Sequence, residues 1–317
     1  MTGKLVAALF VRQRSHIVAV RVFAALGLSI IALSTPGFFS RPTLSSLLTT
    51  VSFIGCVAVG MTLITISGNI MSFSLGALVG ASAMIFILAV NSGGLFFGLL
   101  IAITFGGLVN CMQGFVIGWV RANPIIVSIA ATVLIVGVAD AFAERGTVYM
   151  TAGIQHERLR EILGVVPLEF IVFLGAAATG QFILTCTSFG RNLLMVGSSF
   201  RTAEVAGIET WKTITGAYLW SGMFTALAGI LLAIRYGSAT MSYGIGYEYD
   251  AISAVLVGGI SIHGGTGSMW RTLAGIFVIA VVQAVLLLRG FRQEWQFLFA
   301  GVIVLGVIAL QTRAAAD

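Results

Sequence analysis

"LLTTVSFIGCVAVGMTLITISGNIMSFSLGALVG", Leu47 to Gly80, decides the fold of this chain. It opens as an uncharged apolar run, breaks at Gly68-Asn69 and at Ser72-Phe73-Ser74, and then turns apolar again. In a water-soluble domain such a break is a turn. In a membrane protein it is a polar interruption beside a span, so the class of the chain has to be settled first.

Outward from this stretch, no charged residue occurs from Pro42 to Val120. A hydrocarbon core about 30 Å thick takes about 20 apolar residues per helix, so three spans fit there. Val22–Ser40, Phe170–Gly190 and Thr272–Leu288 are also free of charge. The chain is 58% hydrophobic and 9% charged, whereas soluble domains carry about a quarter charged residues. Too little polar surface is present to cover it in water. Runs such as Ala81–Val90, "ASAMIFILAV", lack the alternation of barrel strands. The fold class is therefore all-α, a polytopic helical membrane protein of about ten transmembrane helices. The whole chain, 1–317, reads as one transmembrane domain.

The expected spans are His16–Leu33, Leu44–Ile66, Ile70–Val90, Leu95–Val120, Pro124–Ala141, Pro167–Cys186, Trp211–Ile234, Tyr249–Ile262, Thr272–Leu288 and Glu294–Leu310. The eighth is short. With both termini in the cytoplasm, Lys4, Arg12, Arg14, Arg21, Arg121, Arg191, Arg201, Lys212, Arg271 and Arg313 fall inside. Arg41, Arg145, Arg158, Arg160, Arg235, Arg289 and Arg292 fall outside. Ten basic residues against seven is the bias of the positive-inside rule. The basic stretch before the first apolar run is read as part of an uncleaved first helix, since many spans follow.

The formal charge of +6 does not indicate nucleic acid, because no Lys/Arg cluster carries interleaved exposed aromatics. Cys56, Cys111 and Cys186 all lie in apolar runs and read as small buried hydrophobes. No phosphate loop, zinc-protease helix or nucleophile elbow occurs, so the chain does not itself hold ATP in that way, and neither catalysis nor a cofactor is expected. Two polar segments stand out: 144–169, expected outside, with "HERLREIL" able to form an interfacial helix, and 188–212, expected inside.

Non-helical backbone at membrane depth survives only where protein or a water-filled cavity satisfies it, and interrupted helices line the pathway in many transporters. The Gly68–Gly80 break is thus either a broken helix beside a pathway or a short cytoplasmic hairpin. Asn69, Ser72, Ser74 and Asp250 are the candidate pathway residues. A second glycine-rich polar break, "GGISIHGGTGSMWRTLAG" at Gly258–Gly275, also precedes a span. Its likeness to the first is consistent with two diverged halves but falls short of a repeat.

Phe189–Ala233, "FGRNLLMVGSSFRTAEVAGIETWKTITGAYLWSGMFTALAGILLA", resembles the permeases of ribose/xylose/arabinose-type ABC importers, in the branched-chain amino acid/sugar permease superfamily. Phe-Gly-Arg opens the loop there, and Gly197, Ser198, Ala203, Glu204, Ala206, Gly207 and Ile208 fall on the pattern of its ATPase-coupling helix. A second stretch resembles the family's Tyr-Glu-Leu-Asp and Gly-Gly-x-Gly-Ser motifs through Tyr247, Glu248, Asp250, Gly258, Gly259, Gly264, Gly265, Gly267 and Ser268. The opening break departs from the family, with Ser72 where an Asp is usual; Arg271 stands where Gly is common.

The resemblance implies a type II-like ABC importer permease in the bacterial inner membrane. It also implies a second permease copy or homologue, separate ATPase subunits below and a periplasmic solute-binding protein above. The solute would be small and hydrophilic, a sugar first, with nucleosides and amino acids as alternatives within the same superfamily. A stand-alone ion-coupled transporter is the competing class, and the scarcity of buried carboxylates weighs against it.

Overall fold

The computed structural model describes residues 34–69, 71–142, 146–151 and 167–316. The expected first span, His16–Leu33, and the "HERLREIL" segment lie outside the described residues.

Helix α1, Arg41–Ile66, begins where the Ser40 hydroxyl accepts the Thr43 N–H and Pro42 occupies the first turn, positions that suit an N-cap and a residue lacking an N–H. Its 26 residues reach about 39 Å at 1.5 Å per residue. It stops at Ser67, and Gly68 follows with φ +84°. Residues 67–69 and 71–74 are non-helical, and α2 runs Leu75–Gly93, so the expected third span starts five residues late. Gly94 (φ +85°) turns the chain into α3, Leu95–Val120. Helix α4, Pro124–Phe142, follows, with Asn123 Oδ1 accepting the Ile125 N–H at 2.9 Å.

A two-stranded ribbon was not expected. Strand β1, Thr147–Tyr149, pairs antiparallel with β2, Ser238–Thr240, in the register Val148↔Ala239. The Asn91 side chain ties the ribbon to the end of α2, donating to Tyr149 O and accepting from the Thr151 N–H, both at 3.0 Å.

Helices α5 (Leu168–Cys186), α6 (Ser188–Ser198), α7 (Phe200–Val205) and α8 (Thr210–Tyr236) come next. After β2 the chain makes a 3-10 turn at Met241–Gly244, then α9 (Tyr247–Val257), α10 (Met269–Leu288) and α11 (Gln293–Ala316). Among the described residues, α1–α5, α8 and α10 are long and apolar enough to cross a membrane. The expected eighth span, Tyr249–Ile262, is corrected. Its helix has 11 residues, about 16 Å of rise, roughly half a hydrocarbon core.

The packing explains that short helix. The order long helix, connection without α-helix, shorter helix, two more helices occurs twice among the described residues, as α1–α4 and as α8–α11. Helix α8 packs on α1, α2 and α3, while α1 packs on α8, α9 and α10. Each long helix is held by the hairpin of the other half. The counterpart of the 67–74 break is therefore the 237–246 connection, and not Gly258–Gly275.

Where α3 meets α8, Gly106, Gly114 and Gly118 lie on one face at four-residue spacing, with Asn110 between them. A Cβ on Gly222 of α8 would fall 2.1 Å from Gly106 O. Small residues let membrane helices approach this closely.

Candidate functional site

Two places carry polar or unpartnered chemistry, and the first is the buried crossing of the two connections. Ser72 and Ser74 are fully buried. Their hydroxyls lie 2.9 Å apart, and Ser74 donates to Gln113 Oε1 on α3 at 2.8 Å. Asn69 is also buried and donates to Ser67 Oγ at 2.8 Å. Thr132 of α4 donates to Phe73 O at 3.3 Å, and the Phe73 ring lies 6.3 Å from Tyr249 at the head of α9. The Phe73 carbonyl and the polar side chains of this break thus find partners within the protein. Met71 has φ +26°, a conformation non-glycine residues seldom adopt.

The crossing itself depends on Gly76 and Gly244. A Cβ on Gly76 would fall 1.8 Å from Glu248 Oε2 and 2.7 Å from Gly244 O; one on Gly244 would fall 1.9 Å from Gly76 O. Any side chain at either position drives the connections apart. Beside the crossing, Ser82, Asn110, Tyr218, Ser221 and Thr225 are buried, with polar atoms that find no hydrogen-bond partner among the described residues. They form a polar seam between α1, α2, α3 and α8.

Asp250 is buried and accepts from Gln283 Nε2 of α10 at 2.9 Å. It lines a cleft of about 490 Å³ with Thr50, Tyr236, Ser242, Tyr243, Gln283 and Gln296. The structure thus separates the four candidate pathway residues. Asp250 faces a cleft, while Asn69, Ser72 and Ser74 sit in the buried break outside its lining. Gln113, Gln283 and Tyr243 escaped the sequence reading. Each lies in or next to an apolar run, and no local pattern marks it.

The second place is the 188–212 segment. It is not one helix, because Ser199 (φ −162°) breaks it. The Ser199 hydroxyl then caps α7 by accepting the Thr202 N–H at 3.3 Å. The far end closes with Gly207 N–H to Glu204 O and Ile208 N–H to Ala203 O, both 3.0 Å, and with Gly207 at φ +79°. This is the paired-bond, left-handed glycine stop of a helix.

Of the seven residues singled out here, Gly197 and Ala203 are buried, Ile208 is half-buried, and Ser198, Glu204, Ala206 and Gly207 are exposed. Between the exposed ones projects Val205, 86% exposed, a tip that the motif had not indicated. Gly197 anchors the segment. A Cβ there would fall 1.9 Å from Ile66 O and 2.5 Å from Gly265 N, and Gly265 donates to that same carbonyl at 2.9 Å. Gly68 and Gly264 close the same junction.

The 188–212 segment is thus joined through Gly197 to the end of α1 and to the 258–268 connection. The family model described as "Branched-chain amino acid transport system / permease component" matches residues 43–308. The chain belongs to this permease family. The permease is 28% identical over 306 residues to the galactose/methyl galactoside import permease protein MglC of Escherichia coli K12, covering 90% of each chain. It is also 28% identical over 281 residues to the autoinducer 2 import system permease protein LsrC of Yersinia pseudotuberculosis, covering 87% of this chain and 79% of that one. No solved structure matches it.

Membership makes the permease a non-catalytic, multi-pass membrane subunit of an ABC importer. The family implies ATPase and binding-protein partners.

Proposed function

We propose that this permease imports a small hydroxylated solute, a sugar, handed over by a periplasmic binding protein and driven by a separate ATPase, with two permease copies per importer. The observation that carries the reading is the Asp250 cleft. A carboxylate, carboxamides, hydroxyls and tyrosine rings share its wall, a donor and acceptor set suited to a polyhydroxylated molecule with an apolar face. The names of the relatives, galactoside and autoinducer 2 importers, agree with such a solute. Asn69, Ser72 and Ser74 belong to the same pathway in this reading, as groups of the buried break next to it.

Gly197, Ser198, Ala203, Glu204, Ala206, Gly207 and Ile208 dock the ATPase, with Val205 at the tip. That places 188–212 and both termini in the cytoplasm and the β1–β2 ribbon on the outer face, where the binding protein sits. A thermal-shift screen of the cognate binding protein against sugars, nucleosides and amino acids tests the solute class. Uptake of the best ligand by Asp250→Asn, at parental membrane abundance, tests the cleft. Stabilisation by an amino acid alone, or parental uptake in Asp250→Asn, refutes the reading.

A further inference from the structure

Arg121 follows the last turn of α3, and its backbone is left-handed, φ +57°. A long side chain rarely sits there, and such an outlier points to a constraint imposed by its surroundings. The side chain makes two contacts. Its Nη2 lies 2.5 Å from Glu204 Oε1, and its Cζ stands 4.8 Å over the Phe200 ring. Both partners belong to α7. A planar guanidinium offers its edge to a carboxylate and its face to a ring at once, which a lysine does not. The Arg121 and Glu204 side chains are 65% and 40% exposed, and ion pairs so exposed add little to folding stability.

Eight residues earlier on the same helix, Gln113 receives the Ser74 hydroxyl. Helix α3 therefore grips the buried break at one point and α7 at another, about 12 Å apart along its axis. We infer that Arg121 is a positioning residue of the transport cycle. It clamps α7 to the end of α3, so that movement of the 188–212 tip reaches the 67–74 connection through α3. The inference rests on the reading that 188–212 docks the ATPase. The backbone contact at Gly197 gives the segment a second link to this region, but the Arg121 clamp is made by side chains alone and can be removed by itself.

The test uses the assembled permease–ATPase complex in proteoliposomes, with ATP plus vanadate as the probe, so no solute has to be known. Cys56, Cys111 and Cys186 are replaced, and a cysteine at Phe73 reports on the break through its maleimide labelling rate. Trapping with ATP and vanadate is expected to change that rate at least threefold with Arg121 present. Arg121→Gln is expected to remove most of the change, and Phe200→Leu, which takes away the ring under the guanidinium, to remove at least half of it.

Three results each overturn the inference: no change with Arg121 present, a full change in Arg121→Gln, or a full change in Phe200→Leu. If Arg121→Gln fails to accumulate, Arg121→Lys, which keeps the charge but cannot pair with the carboxylate and stack on the ring at once, is judged the same way. A cysteine at the exposed Thr202 cross-links to the ATPase if the docking reading holds. Its failure to do so refutes that reading, whereas a cross-link combined with a full change in Arg121→Gln refutes only the clamp.

Discussion

Gly197→Ala adds one methyl group where the structure leaves no room for it. The new Cβ falls 1.9 Å from Ile66 O and 2.5 Å from Gly265 N, against an ordinary contact distance of 3.4 Å or more. The difference, 3.4 less 1.9, means that α6 and the end of α1 must separate by about 1.5 Å. The same Cβ lies against both atoms of the 2.9 Å bond from Gly265 to Ile66 and wedges them apart. Overpacking typically costs about 1–3 kcal/mol and a lost hydrogen bond about 0.5–1.5 kcal/mol, so the variant should lose about 1.5–4.5 kcal/mol.

Two other glycines separate geometry from chemistry. Gly175 in α5 has nothing within 4 Å, so Gly175→Ala should match or exceed the parent, given alanine's helix preference of about 1 kcal/mol. Gly207 also has open space but φ +79°, and Gly207→Ala should lose about 1–2 kcal/mol to left-handed strain. Thermal unfolding of the detergent-solubilised permease, read with co-purification of the ATPase, should rank Gly175→Ala at or above the parent, then Gly207→Ala, then Gly197→Ala. Gly197→Ala melting with Gly175→Ala and retaining full ATPase would refute the tight junction.

Further tests address the remaining claims. Ala206→Trp places a large ring on an exposed position of ordinary backbone, φ −76°; it should leave insertion intact and reduce ATPase co-purification severalfold, and unchanged co-purification counts against docking there. Ser74→Ala removes the donor to Gln113 Oε1 and should cost about 1–3 kcal/mol. Ser82→Ala removes a hydroxyl with no partner among the described residues and should be neutral or stabilising; equal melting points for the two would contradict the buried network. In a background lacking Cys56, Cys111 and Cys186, a cysteine at Thr151 should react with an impermeant thiol reagent from the periplasm and one at Thr202 should not. The opposite pattern would invert the topology.

Hydropathy marks the long apolar helices well whether or not protein covers them. Helices α3, α4, α5 and the largely buried α8 lie within two residues of the expected bounds. Hydropathy fails where the helical element is short. Residues 241–257 cross on a 3-10 turn and a short helix because α1, α2, α10 and α11 surround them, and no local sequence signal reports such neighbours. The same holds for the site. The glycines of the 188–212 pattern were legible as a motif, but their use was not. Gly197 is a backbone contact with residues 66 and 265, and Arg121 meets Glu204 across 83 positions. Val205 reads as one more apolar residue until its surroundings are known.

Helix α1 has protein on nearly every side, since 89% of its central window is buried, compared with 11% for α4. The partners that cover it, α5, α8, α9 and α10, all come later in the chain. During synthesis α1 therefore waits in lipid while some two hundred residues are added, from Ile66 to the start of α10 at Met269. At about 5–20 residues per second that is about 10–40 s. Its buried hydroxyls at Thr62 and Thr65 bond back to the carbonyls of Ala58 and Met61, which keeps them satisfied in the meantime. Its final enclosure is a late step of biogenesis, and a nascent chain cut before α8 leaves the faces that α8, α9 and α10 cover bare to the bilayer and to membrane quality control.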